Sequence, residues 1–209
     1  QSLNLPKKSK ILMPSITIKA MLDVIEFFEL EPVYIDYERD SFDFDLNILE
    51  RIDLNEIKVS LYTPLYGIFG DVEKLQTILK NNKIFSIIDF SHQLNSTFKN
   101  KILTRYFDCS IYSSSSIKTL DTLGGGHVCT NDKDLFNNLI KFQKGLNRPV
   151  RSFLVKKSLI NLVRNLLTSR FVFSNFTYYL IKILTRFKPQ STIRLIGNRP
   201  LNKEKFLPK

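Results

Sequence analysis

The sequence predicts an α/β fold, a sheet layered between helices, over residues 1–148. A basic amphipathic helical segment follows over 149–190, and 191–209 read as the start of a truncated C-terminal part. Three observations carry this prediction. Short apolar runs alternate with stretches of helical spacing from residue 10 to about residue 144. Several of those runs end in polar residues, at the carboxyl ends of strands where open α/β sheets bind ligands. The charge is also divided: residues 1–140 carry 15 Lys+Arg against 19 Asp+Glu, a balance of −4, whereas 141–209 carry 16 against one acid, Glu204, a balance of +15. The change falls near Gly145, Asn147 and Pro149, residue types that interrupt regular structure.

The elements follow in order. Residues 10–13 form a short strand stopped at Pro14 and Ser15. Ile18, Met21, Leu22, Ile25, Phe28 and Leu30 share one side of a helix over 18–30. Residues 32–36 are the next strand, 46–52 a short helix, and 57–62 an apolar strand entering Thr63-Pro64-Leu65-Tyr66-Gly67. Asp71 is placed to cap a helix over 72–81, because its carboxylate can accept the first free N–H groups. Residues 85–88 lack polar alternation, as in a strand buried on both faces. Strands over 108–112 and 126–129 precede a helix opened by Asn131 and Asp132.

Composition narrows the class further. With 43% hydrophobic residues and 17 Phe, the chain has ample material for a core, which excludes global disorder. Cys109 and Cys129 lie in apolar stretches without C-x-x-C or Cys/His spacing, so they read as reduced core residues of a cytosolic protein, and no metal site is predicted. No segment approaches the ~20 apolar residues of a membrane span. Residues 1–10 lack the apolar run of a signal peptide, and the opening Gln suggests a missing start.

Residues 152–187 contain no acid and interleave Lys and Arg with Phe, Leu, Ile, Val and Tyr. The longest uncharged stretch there, 171–181, is 11 residues. This pattern predicts a helical hairpin broken around Ser174 and Asn175 that lies on an anionic lipid surface. Aromatics such as Phe171, Phe176 and Tyr179 could stack nucleic-acid bases, but they sit among Leu and Ile at helical spacing, which argues against nucleic acid.

Chemistry concentrates in the first region. Asp89 ends the 85–88 run, His92 follows it, Lys118 leaves a turn of four serines beginning at Ser113, and Gly124, Gly125 and Gly126 come just behind. Singly these are a turn cap, a surface lysine, a solvated loop and a tight turn. Together they suit pyridoxal phosphate: a carboxylate that keeps the pyridine nitrogen protonated, an amine that forms a Schiff base, and hydroxyl and N–H groups for phosphate.

Further motifs accompany them. Pro14-Ser15-Ile16-Thr17, Pro32-Val33-Tyr34-Ile35-Asp36, Ser41-Phe42-Asp43-Phe44-Asp45, Leu65-Tyr66-Gly67 and Gly125-Gly126-His127-Val128-Cys129-Thr130-Asn131-Asp132 occur in this order. The whole resembles the DegT/StrS sugar-nucleotide aminotransferases, fold-type-I pyridoxal phosphate enzymes, across roughly residues 11–145. The resemblance implies a partial three-layer large domain. It also implies Lys118 as the catalytic, cofactor-bearing lysine, Asp89 against the pyridine nitrogen, His92 near the ring and Ser113 at the phosphate. The implied reaction moves an amino group, commonly from glutamate, to a keto sugar linked to a nucleotide, in a dimer with active sites at the subunit interface. A related dehydratase chemistry replaces the lysine with histidine, and Lys118 speaks against it. A non-catalytic, membrane-attached member is a further alternative.

Several family features are missing. The S-G-T-x-A phosphate loop has no counterpart, Ile18 stands where many members stack an aromatic, Ile88 replaces the acid before the aspartate, and the G-x-N-x-R segment is not visible after Gly145. The sequence therefore reads as an incomplete chain or a degraded copy, expected to bind the cofactor poorly or not at all by itself.

Overall fold

The computed structural model describes residues 2–115, 118–146 and 148–187. Ser116 of the serine turn and the predicted C-terminal part over 191–209 lie outside the described residues. The chain divides into two units, the first running to Leu146 and the second beginning after it.

The first unit is built on a six-stranded sheet. Its strands are β1 (Lys10–Pro14), β2 (Glu31–Ile35), β3 (Ile57–Tyr62), β4 (Phe85–Asp89), β7 (Cys109–Ser113) and β8 (Gly126–Thr130), in the order β2-β1-β3-β4-β7-β8. The first five run parallel and β8 pairs antiparallel with β7. Between β4 and β7, two-residue strands β5 (Thr97–Phe98) and β6 (Lys101–Ile102) form a small hairpin that periodicity did not reveal. Such short segments offer no repeat to read.

Alternation along the strands feeds two apolar layers. Leu12 and Ile88 point into a core shared with Leu75 and Leu79 of α3 (Val72–Asn81) and Leu49 of α2 (Leu46–Leu49). Ile11, Met13 and Val59 point the other way, to Ile25 of α1 (Lys19–Phe27). Each fully buried Leu or Ile contributes roughly 1.5–3 kcal/mol of transfer free energy. On β4 the second face is only half-buried at Phe85 and Ile87, so the apolar run is less enclosed than its composition suggests.

Helix ends follow capping chemistry. Asp45 accepts the N–H groups of Asn47 and Ile48, Asp71 that of Lys74, and Asp132 those of Asp134 and Leu135 at the start of α4 (Lys133–Gly145). α1 ends earlier than the predicted 30 because Glu29 turns left-handed (φ 54), letting Leu30 N–H reach the Ile25 carbonyl at 3.0 Å. α3 ends the same way at Lys83 (φ 56), with Ile84 N–H on the Leu79 carbonyl at 2.9 Å. These are Schellman closures that accept the strain of a non-glycine left-handed residue.

The cysteines need one correction. Cys109 is buried, and burial chiefly pushes its thiol up to about 11, but Cys129 is exposed on the edge strand β8. Register pairs Cys129 with Ser110 and Cys109 with Thr130, so the two thiols point to opposite faces of the sheet.

The second unit is helical: α5 (Arg151–Leu167), α6 (Arg170–Val172), one π-helical turn at Phe173–Thr177 and α7 (Tyr178–Phe187). The break predicted at Ser174 and Asn175 falls instead at Thr168 and Ser169, where α5 closes and Ser169 opens α6. At 174–175 the helix only widens, and Asn175 Nδ2 donates back to the Phe171 carbonyl at 2.8 Å. No residue of α5 is buried. Among the described residues no helix is long and apolar enough to cross a membrane.

Candidate active site

Neighbouring parallel strands β1, β3 and β4 open their carboxyl ends on one side of the sheet. There the segments after β1 (Ile16, Thr17, Ile18, Met21) and β3 (Thr63, Pro64, Leu65, Tyr66) meet Asp89, Ser91, His92 and Lys118 around a cavity of about 290 Å³. That volume is near the lower end of the ~300–1,000 Å³ common for small-ligand sites. Asp89, His92 and Lys118, singled out by sequence, thus line one space. Ser113 does not line it; Ser113 ends β7 half-buried beside it.

Ser91 organises the acidic end. Asp89 Oδ1 accepts the Ser91 N–H at 2.9 Å and the Ser91 hydroxyl at 2.5 Å. The same hydroxyl oxygen accepts the Ser113 N–H at 2.8 Å. Both bonds to Asp89 engage Oδ1, so the carboxylate is oriented by its own turn. Sequence reasoning did not single out Ser91; its signal was the position two residues after an acid ending a strand, the pattern of an Asx turn.

His92 carries the clearest electrostatic signature. Its imidazole is held below the ordinary 6.5, first by burial and then by the positive charge of Lys118, with Asp89 pulling the other way. The Tyr66 ring lies 6.4 Å from that of His92 and makes an edge contact with Phe42 at 5.3 Å. Tyr66 adopts a left-handed backbone (φ 55) and remains 73% exposed. For a bulky residue that conformation costs roughly 1–2 kcal/mol.

The cavity walls are tied together behind the lining. Tyr37 Oη donates to the Ile16 carbonyl at 3.3 Å, and lies 3.5 Å from that of Thr63. Gln93 donates its amide N–H to the Pro64 carbonyl. Asp43 accepts the Tyr62 hydroxyl at 2.5 Å and the Gly70 N–H at 2.7 Å, anchoring both ends of the 63–70 loop. Burial raises the Asp43 carboxyl against the opposing pull of these bonds. Three buried atoms at or beside the lining, Thr63 Oγ1, Gln93 Oε1 and Ser114 Oγ, have no protein hydrogen-bond partner. Ordered water or a polar ligand completes such groups.

A model of the DegT/DnrJ/EryC1/StrS aminotransferase family matches residues 1–157. The chain belongs to this family. Among curated relatives, it is 26% identical over 142 residues to GDP-perosamine synthase from Escherichia coli O157:H7, covering 68% of this chain and 39% of that protein. Its structure is similar to that of an aminotransferase from Psychrobacter cryohalolentis, with a TM-score of 0.64 at 16% identity, covering 69% of this chain and 37% of that one. It is also similar to NtdA from Bacillus subtilis, solved with bound cofactor PMP, with a TM-score of 0.62 at 24% identity over 72% of this chain and 34% of that one. The fold of the first unit is that of a fold-type-I aminotransferase large domain. The DegT/StrS chain described here spans between about a third and two fifths of the length of the first curated relatives it matches.

Proposed function

We propose that this chain supplies the cofactor-binding part of a pyridoxal-phosphate-dependent aminotransferase that moves an amino group, from glutamate, to a keto sugar nucleotide in surface polysaccharide or amino-sugar biosynthesis. The observation that carries this reading is the convergence of Asp89, His92 and Lys118 on one cavity. The residues fit the cofactor. An acid, an amine and an imidazole face a space walled by Ile16, Ile18, Met21 and Leu65, a suitable bed for a flat ring with one polar edge. When bound, pyridoxal phosphate supplies an electron sink for the bonds at the amino-bearing carbon.

The chain's own groups would then divide the work. Asp89, oriented through Oδ1 by Ser91, would keep the pyridine nitrogen protonated. Lys118 would hold the cofactor through its amine and, as a free amine, would move a proton at the substrate carbon. His92, neutral at physiological pH by the direction of its shift, offers a ring N–H or lone pair without adding charge. The Ser113 hydroxyl, half-buried at the end of β7, would serve the phosphate. The lysine distinguishes this chemistry from the related dehydratase.

The partner reading extends from the rim. Ile16, Ile18 and Tyr66 are all more than half exposed at the cavity edge, an apolar border suited to cover by a second protomer. We assign a homodimer on that basis. In the second unit, exposed Val155, Leu159, Leu162, Val163 and Leu166 stand among basic residues with no acid, which supports peripheral contact with an anionic membrane face from the cytoplasm. Flotation with anionic vesicles but not neutral ones is the expected result.

The test of the central reading is covalent. The full chain, incubated with pyridoxal phosphate and reduced with borohydride, should carry the label on the peptide containing Lys118, and Lys118→Ala should abolish it. Label spread over the other lysines, with none favoured at Lys118, would overturn the assignment.

A further inference from the structure

We propose that Tyr112 is a positioning residue for Lys118, a role that rests on the cofactor-binding reading above. Tyr112 lies in β7, is 3% exposed, and does not reach the cavity. Its phenol oxygen accepts the N–H of Leu120, two residues beyond Lys118, at 2.9 Å. Its ring is set by two others, Phe90 at 5.2 Å and His127 at 6.3 Å between centroids. Phe90 directly follows Asp89, and the Phe90 N–H donates to the Ile111 carbonyl beside Tyr112 at 3.0 Å.

Among the described residues the loop that carries the lysine is otherwise held by one short turn, in which the Lys118 N–H donates to the Ser115 carbonyl at 2.9 Å, and by bonds at its base. Ser114 donates its N–H to the Gly125 carbonyl at 3.1 Å, and its own carbonyl accepts the N–H groups of Thr122 and Gly124, each at 3.2 Å. The return runs through left-handed Leu123, Gly124 and Gly125 (φ 64, 119 and 90). These bonds close the neck of the loop but leave the lysine's distance from Asp89 undetermined. The phenol constrains it from the far side of Lys118, because it joins the loop at Leu120 to a ring packed against Phe90, the neighbour of Asp89. A phenylalanine at 112 would keep the packing and lose only the acceptor.

The experiment uses the full chain with Tyr112→Phe, and with Leu120→Pro to remove the same bond from the donor side. Without cofactor, trypsin cleavage after Lys118 should accelerate by roughly tenfold in both variants, the size of one lost hydrogen bond, as should amide exchange at Leu120 in Tyr112→Phe, while peptides from β3 stay unchanged. The decisive readout is the His92 titration by NMR. Lys118 charge depresses it in the wild type, so a lysine released from its place lets it rise toward 6.5. With pyridoxal phosphate, borohydride trapping at Lys118 should slow several-fold. Faster cleavage with an unchanged His92 titration would overturn the proposal by making the bond a loop staple only. Unchanged cleavage and exchange would overturn it outright. If the wild type traps no cofactor, the functional reading fails, and the His92 titration alone still decides the positioning role.

Discussion

Ser91 and Ser113 are joined across the β4–β7 ladder: the Ser113 N–H donates to Ser91 Oγ at 2.8 Å, while that hydroxyl donates to Asp89. A matching link sits at the other end of the two strands, where Asp108 accepts the Ser86 N–H at 2.8 Å and the Ser86 hydroxyl at 2.7 Å. Both links span 22 residues, the offset of the ladder itself, which pairs Ile87 with Cys109 and Asp89 with Ile111. The strand ends bearing the acid and the serine turn are therefore pinned in register at both extremes.

Ser91→Ala removes the hydroxyl from that junction. Hydrogen bonds to charged groups are worth about 1.5–3 kcal/mol, so pyridoxal phosphate affinity should fall by about tenfold or more. An absorbance titration measures the affinity, and urea unfolding should register a stability loss of about 1–2 kcal/mol. Unchanged affinity in a folded variant would show that Asp89 is oriented by something other than Ser91.

Protonation of His92 should be sensitive to its two charged neighbours. Lys118→Ala removes a depressing charge and should raise its titration, whereas Asp89→Asn should lower it further. Two-dimensional NMR resolves the two histidines, His92 and His127. Because the folded value lies below the ordinary 6.5, the unfolded chain takes up the proton first as pH drops. The associated stability is complete above about 6.5 and declines as pH falls through the folded value. His92→Gln should flatten that part of the stability profile.

Tyr62 is 1% exposed, stacks on Phe107 at 5.5 Å and gives its hydroxyl to Asp43. Burial first, and then the Asp43 charge, raise its phenol well above 10.0. The folded state keeps the proton where the unfolded chain loses it, so stability should fall as pH rises beyond about 10. Tyr62→Phe should cost about 1.5–3 kcal/mol at neutral pH and remove that alkaline loss, both measured by chemical denaturation across pH.

Gly126 opens β8 against β7, and a Cβ there would sit 2.9 Å from the Tyr112 carbonyl oxygen. Backbone, not a flexible side chain, would have to yield. Gly126→Ala should destabilise by about 1–3 kcal/mol and loosen the β7–β8 pair in amide exchange. An alanine variant as stable as wild type would mean that β8 can shift on β7 without cost.

Much of this protein was legible in its sequence because local chemistry is written in local order. Apolar runs predicted the strands of the six-stranded sheet, capping acids predicted the starts of α3 and α4, and Asp89, His92 and Lys118, singled out by motif, line one cavity. The end of α1 before Glu29 escaped notice because a left-handed non-glycine residue leaves no compositional mark, whereas the predicted end of α3 at 81 is the observed one. Cys129 looked like core because apolar neighbours do not reveal that β8 is an edge strand.

By itself, then, the sequence determined the family and put forward, as candidates for its chemistry, the acid ending β4 and the lysine beyond β7. Only the tertiary structure decided how they are held. Ser91 on Asp89, Tyr112 on the lysine loop and Tyr62 on Asp43 are separated from some of their partners by 22, 8 and 19 residues. Spacing along a chain carries no trace of such bonds, because they exist only once the strands have set their register.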